Sequence, residues 1–173
     1  MMVICFTGFP LSGKSTLAKK LATKLGIERV STGDIARSLG MGNEESIKTH
    51  DLSFAHDAMI TEQAIEAAKA GKILDGFPRS VAQIELLKEQ SIKHGFEFKV
   101  IFVTENPLVV FDRINERARE SGRPEDDPAI VSGRLKASLA FLRGASKSLG
   151  SENITIFASR LGYEELERAL DIK

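Results

Sequence analysis

Gly8-Phe9-Pro10-Leu11-Ser12-Gly13-Lys14-Ser15 lies close to the start of the chain and constrains it more than any other stretch. Before it, Val3–Phe6 is short, apolar and partly β-branched, which predicts a strand. After it, Leu17, Leu21 and Leu25 recur at helical spacing, which predicts a helix over Lys14–Leu25. A strand, a glycine loop and a helix N-terminus in that order form a cradle for polyphosphate. Glycine lets the backbone wrap closely, so that amide N–H groups turn inward as a nest. The helix dipole adds positive potential at the first turn. Lys14 reaches β- and γ-phosphates in such a loop, and the Ser15 hydroxyl ligates Mg²⁺. The candidate nucleotide-binding residues here are Gly8, Pro10, Ser12, Gly13, Lys14, Ser15 and Thr16.

Composition narrows the setting. A chain of 173 residues is expected to form one domain with a full core. Twenty-four basic residues balance 24 acidic ones, so general electrostatic attachment to nucleic acid or an anionic membrane is not suggested. The sequence shows no apolar run of membrane-spanning length and no signal peptide, and a cytoplasmic protein is expected. Cys5, the only cysteine, falls within the first strand and reads as a small buried hydrophobe. His50, His56 and His94 lack metal-ligand spacing, so no zinc site is expected. No extra apolar surface is evident, which favours a monomer.

Along the chain, short apolar runs alternate with helical patterns. Strands are expected at Val3–Phe6, Arg29–Ser31, Ile73–Leu74, Val100–Val103 and Thr155–Phe157. Helices are expected at Lys14–Leu25, Ala55–Ala70, Ser80–His94, Pro107–Glu120, Pro128–Leu149 and Tyr163–Asp171. Gly26 and Gly71 mark helix C-termini, and Asn106-Pro107 an N-terminus. This alternation predicts an α/β fold of right-handed crossovers: a three-layer α/β/α sandwich around a parallel five-stranded sheet. Ligands in such sheets bind at the carboxyl ends of the strands, where the chemically loaded segments fall. Two polar stretches, Leu39–Phe54 and Glu120–Pro128, read as mobile excursions from the core.

Arginine supplies the second signal. The second strand is followed by Ser31-Thr32-Gly33-Asp34-Ile35-Ala36-Arg37, in which Asp34 or Thr32 is expected to cap the next helix. The third strand leads into Asp75-Gly76-Phe77-Pro78-Arg79, then Gln83. Asp75 is placed to hold Mg²⁺ through water, and the Pro78 turn projects Arg79 into the cleft. Arg113 and Arg117 are four residues apart and share a helix face. Arg123 lies in the charged loop and Arg134 on the helix that returns from it. Phosphoryl transfer calls for such a set, because its transition state spreads negative charge over the transferred oxygens and no protein nucleophile is required. The guanidinium fork binds two phosphate oxygens at once and stays protonated. No nucleophile elbow or Ser-His-Asp arrangement competes.

These motifs together resemble the adenylate kinase family of nucleoside monophosphate kinases over nearly the whole chain. The phosphate loop matches, as do Ser-Thr-Gly-Asp-x-x-Arg at 31–37 and Asp-Gly-Phe-Pro-Arg-x-x-x-Gln at 75–83. Arg113, Arg117, Arg123 and Arg134 have the family's lid spacing. The resemblance implies a core of 1–34, 72–119 and 135–173, an NMP-binding segment at 35–71 and a short lid at about 120–134. It implies that Arg37 and Arg79 grip the acceptor phosphate, with Thr32 and Gly76 beside that nucleotide and Gln83 reading its base. Arg113 would stack on the donor adenine. Arg117, Arg123 and Arg134, with Lys14 and Arg79, would clamp the transferring phosphoryl group. Glu125 and Asp126, or Asp127 if the register shifts, stand where paired aspartates tie down lid arginines. Backbone groups of Ala158-Ser159-Arg160 would meet the donor adenine. The chain departs from the family where Leu11 replaces a usual glycine and where Ser15-Thr16 replaces Gly-Thr, so either hydroxyl is placed to approach the metal. Its acceptor segment is shorter, and its lid is the type without cysteines.

The expectation is therefore an enzyme that moves the γ-phosphoryl of ATP-Mg²⁺ to AMP, since the Gln83 amide offers an adenine edge both a donor and an acceptor. A kinase of CMP, UMP or a deoxynucleoside monophosphate is the near alternative. From another class, a slow ATPase acting as a nucleotide-dependent assembly factor would also keep the scaffold.

Overall fold

The computed structural model describes residues 1–39, 54–121, 127–150 and 152–171. Arg123, Glu125 and Asp126 lie outside them, as do most of the two excursions expected at 39–54 and 120–128.

Five strands form one sheet: β1 (Met2–Gly8), β2 (Arg29–Ser31), β3 (Ile73–Asp75), β4 (Glu97–Thr104) and β5 (Ile154–Ala158). Their order is β2-β3-β1-β4-β5 and every pairing is parallel. The helices are α1 (Lys14–Leu25), α2 (Thr32–Ser38), α3 (Phe54–Lys69), α4 (Val81–His94), α5 (Pro107–Ser121), α6 (Pro128–Leu149) and α7 (Tyr163–Ala169), with a 3-10 turn at Ser159–Leu161. From β1 the chain moves out to β2 and β3 on one side, then crosses to β4 and β5 on the other. The carboxyl end of β1 is therefore where the strand order reverses, the position at which open α/β sheets bind ligands.

Strand alternation builds the two cores. On one face, Val3 and Cys5 of β1 join Phe98, Val100 and Phe102 of β4 with Ile84, Leu87 and Phe141 from α4 and α6. On the other, Ile4 and Phe6 join Ile101 and Val103 with Leu17, Leu21 and Leu166 from α1 and α7. Cys5 is fully buried, and that burial pushes its thiol far above its ordinary range. A third, smaller cluster of Val110, Ile114 and Val131 joins α5 to α6, with Leu11 packed on it.

The expected α/β/α sandwich is present, with local differences. β4 spans eight residues, because Glu97–Lys99 pairs with Met2–Ile4 ahead of the apolar Val100–Val103 run. Neither Thr32 nor Asp34 caps α2: Ser31 does, its hydroxyl accepting from the Asp34 N–H at 3.3 Å while Thr32 becomes the first helical residue. The first four N–H groups at that end lack intrahelical partners, and the residue still in extended backbone is the one whose hydroxyl reaches one of them. Gly26 ends α1 in the left-handed region, and the Asn106 side chain accepts from the Leu108 N–H at the start of α5.

Candidate active site

The phosphate loop is shaped by two glycines. Gly8 has φ +130°, and a Cβ there would lie 2.1 Å from the Val103 carbonyl oxygen of β4, so no other residue fits. Gly13 has φ +84° and opens α1, its carbonyl accepting from the N–H groups of Thr16 and Leu17. Between them Pro10 is buried, and the Ser12 hydroxyl is sealed from solvent without a hydrogen-bond partner among the described residues. Leu11 takes φ +57°, a left-handed conformation that costs a residue with a side chain roughly 1–2 kcal/mol.

Lys14 stands half-buried at the first turn of α1, its ammonium donating to the Phe9 carbonyl at 3.2 Å. Loss of hydration, then the positive fields of Arg79, Arg134 and Arg117, pull its pKa down to about 8; Asp75 opposes them. Three arginines expected from sequence thus converge on one lysine from β3's loop, α6 and α5. Arg134 also acts on Arg79.

A cleft of about 590 Å³ opens beside the loop, lined by Gly13, Lys14, Ser15, Thr16, Arg113 and Arg117 and also by Ser159 and Tyr163. Ligand sites commonly fall in this size range. Arg113 is held from two directions: Nη1 donates to the Leu11 carbonyl at 2.9 Å, and Nη2 pairs with Glu105 at 3.3 Å. The same Glu105 oxygen accepts from the Ser159 hydroxyl at 2.6 Å, joining the loop after β5 to α5. Burial alone would raise the Glu105 carboxyl, but Ser159, the Asn106 N–H, Arg113 and Arg160 together hold it below the ordinary carboxylate range. Sequence reasoning missed Glu105 and Tyr163. Glu105 directly follows β4, so its strand-end position was the available signal.

A hydrogen-bonded chain of side groups joins α2, the loop after β3, α4 and α3. Thr32 donates to the Gly76 carbonyl at 2.9 Å and accepts from Arg79 Nη2 at 2.9 Å. Arg79 Nε donates to that same carbonyl at 2.6 Å. Gly76 has φ +91°, and a Cβ would sit 2.5 Å from the Thr32 hydroxyl and 2.8 Å from the Arg79 guanidinium. The Gln83 Oε1 accepts from the Arg79 N–H at 2.7 Å, while Nε2 donates to Thr61 at 3.0 Å and to Asp57 at 3.3 Å. This orientation is chemically fixed, because an amide N–H needs an acceptor and a carboxylate needs a donor.

Arg37 pairs with Asp34, which holds that carboxyl below its ordinary range. Asp34 also meets Arg29 at 3.3 Å, and Arg29 reaches Asp75 at 2.5 Å. Asp75 is only 2% exposed, so Arg29, a residue the sequence did not single out, neutralises it. Of the expected site residues, the structure brings together Lys14, Arg79, Arg117 and Arg134 on one side, and Thr32, Gly76, Arg79 and Gln83 on the other. Arg37 lies farther along α2 in the Asp34–Arg29–Asp75 chain, and Arg123 is outside the described residues.

Among the described residues no helix is long and apolar enough to cross a membrane, and no cluster of three metal-ligating His, Cys, Asp or Glu side chains occurs.

Comparison with known proteins bears on the family and the fold. A family model described as an AAA domain matches residues 7–131. An adenylate kinase of Caulobacter vibrioides is 35% identical over 149 residues, covering 79% of this chain and 77% of the relative. One from Thermobifida fusca is 34% identical over 145 residues, covering 78% and 77%. A solved structure of a protein described as a candidate kinase from Chloroflexus aurantiacus superposes with a TM-score of 0.68 over 98% of this chain and 96% of that one. At 18% identity this last likeness speaks for the fold alone. Motif order, strand order and relatives spanning most of both chains all agree: this phosphotransferase belongs to the adenylate kinase family of nucleoside monophosphate kinases.

Proposed function

We propose that the protein transfers the γ-phosphoryl group of ATP to AMP, forming two molecules of ADP. The carrying observation is that Arg79, Arg134 and Arg117 all act on Lys14, which lines the 590 Å³ cleft, while Arg79 also belongs to the Thr32–Arg79–Gln83 chain. An oxygen of the AMP phosphate attacks the γ-phosphorus in line. The bond from that phosphorus to the β,γ-bridging oxygen breaks, and the electrons leave with ADP. The protein's part is to hold two polyanions together and stabilise the charge shared by the transferred oxygens. Lys14 and the arginines supply fixed positive charge where it develops. The donor base lies against Arg113 and the Ser159–Tyr163 wall in this reading. The acceptor phosphate lies at Arg79, with Arg37 approaching from α2 and Arg123 and Arg134 from the lid side. The chain divides accordingly into a core, an acceptor-binding segment over 35–71 and a short lid at about 120–134.

The family implies ATP accompanied by magnesium. Ser15 and Thr16 place exposed hydroxyls on the first turn of α1 beside the cleft, and such hard oxygen donors fit that ion. Asp75 keeps Oδ1 for a water-mediated contact, Oδ2 being taken by Arg29. Bound there, the ion would offset charge on the phosphate oxygens.

Gln83 sharpens base choice. Both Nε2 hydrogens are engaged, while Oε1 retains a lone pair, so the amide presents an acceptor to the base. That suits the exocyclic amino group of adenine and equally that of cytosine, which favours CMP over UMP as the second reading. A panel of nucleoside monophosphates in a coupled ADP-release assay tests both. Turnover fastest with AMP, then CMP, supports the reading. ATP hydrolysis indifferent to every monophosphate contradicts it.

A further inference from the structure

Leu11 is the one phosphate-loop residue whose backbone and side chain disagree. Its φ of +57° is a conformation that glycine adopts freely, yet it carries a branched apolar side chain. Outliers of this kind persist where surrounding contacts over-determine them. Here the side chain packs on Val110 and Ile114 of α5 and Val131 of α6, each 1% exposed. The Leu11 carbonyl, meanwhile, accepts from Arg113 Nη1 at 2.9 Å. These contacts sit in register with the cationic side chains: Arg113 precedes Ile114, Arg117 follows it by three residues, and Arg134 follows Val131 by three.

We propose that Leu11 is a positioning residue that sets α5 and α6, and with them Arg113, Arg117 and Arg134, against the phosphate loop. The proposal rests on the phosphoryl-transfer reading above. A strained left-handed turn aims the carbonyl at Arg113, while the apolar anchor seats the two arginine-bearing helices on the loop that holds the phosphates. The clamp then reaches its ligand in a fixed register. Small displacements of such groups cost rate steeply.

Steady-state kinetics and melting curves on the full chain separate positioning from mere stability. Leu11→Ala is expected to lower kcat about tenfold or more, with the acceptor KM within about twofold of wild type. Leu11→Gly removes the backbone strain as well as the anchor, so it should melt above Leu11→Ala yet lose the same kcat. Leu11→Met keeps the reach of the side chain and should recover kcat to within about threefold. Wild-type kcat in the alanine and glycine variants, or a kcat loss that simply follows melting temperature, overturns the inference while leaving the proposed function intact. A wild type that turns over no monophosphate rejects both.

Discussion

On the phosphate-loop side, Lys14 sits half-buried under the fields of Arg79, Arg134 and Arg117, its ammonium turned back to Phe9. On the other side, Thr32, Gly76, Arg79, Gln83, Thr61 and Asp57 are already joined by hydrogen bonds between 2.6 and 3.3 Å. One half gathers like charges whose mutual repulsion a polyphosphate relieves. The other is organised before any ligand arrives. Under the proposed function, binding energy on the donor side goes partly into relieving repulsion, whereas the acceptor side offers geometry and base choice.

The harshest way to break the comparison is Lys14→Ala. Turnover should fall by about a thousandfold with the fold retained, as read by the coupled assay and circular dichroism. Near-normal turnover would remove Lys14 from the centre of the donor half. Next in size, Arg29→Met leaves Asp75 buried without its partner and should cost about 3 kcal/mol in urea unfolding. Wild-type stability would show that this ion pair does not hold the β2–β3 side together.

A pH series sharpens the donor half. Lys14 loses its proton near pH 8 in the free protein, and a bound polyphosphate favours the charged form and raises that pKa. Above pH 8 binding must therefore take up a proton, and donor affinity should weaken by up to about tenfold per pH unit until the pKa of the complex is reached. Calorimetry in buffers of different ionisation enthalpy reads the uptake; none at pH 8.5 would contradict the charge-crowding account. The smallest effect belongs to the acceptor half. Gln83→Ala should shrink the preference for AMP over UMP by about fivefold while kcat barely moves. An unchanged preference would mean that base choice lies elsewhere.

Much of this was legible in the sequence because it is local. The glycine loop, the helix ends at Gly26 and Asn106, and the strand-end placement of Asp75–Arg79 follow from residues a few positions apart. The arginines were legible as a set because the chemistry demands one. What escaped is what the fold brings together from afar. Arg29 and Asp75 are 46 residues apart, and Ser159 and Glu105 are 54 apart. Gln83 looked like an amide with two free faces, because its partners Asp57 and Thr61 come from a helix whose register no local pattern fixes. The α2 cap was misassigned between Thr32 and Asp34 for a different reason. Three of the four residues Ser31–Asp34 have capping side chains, and only the backbone shows which one stays extended.

The most direct test is a crystal structure with two adenosines joined by a pentaphosphate, which spans donor and acceptor positions at once. The account predicts Lys14, Arg79, Arg117 and Arg134 within hydrogen-bond distance of the bridging phosphates, one adenine against Arg113 and the other against Gln83. Those four side chains directed away from the phosphate chain would contradict it.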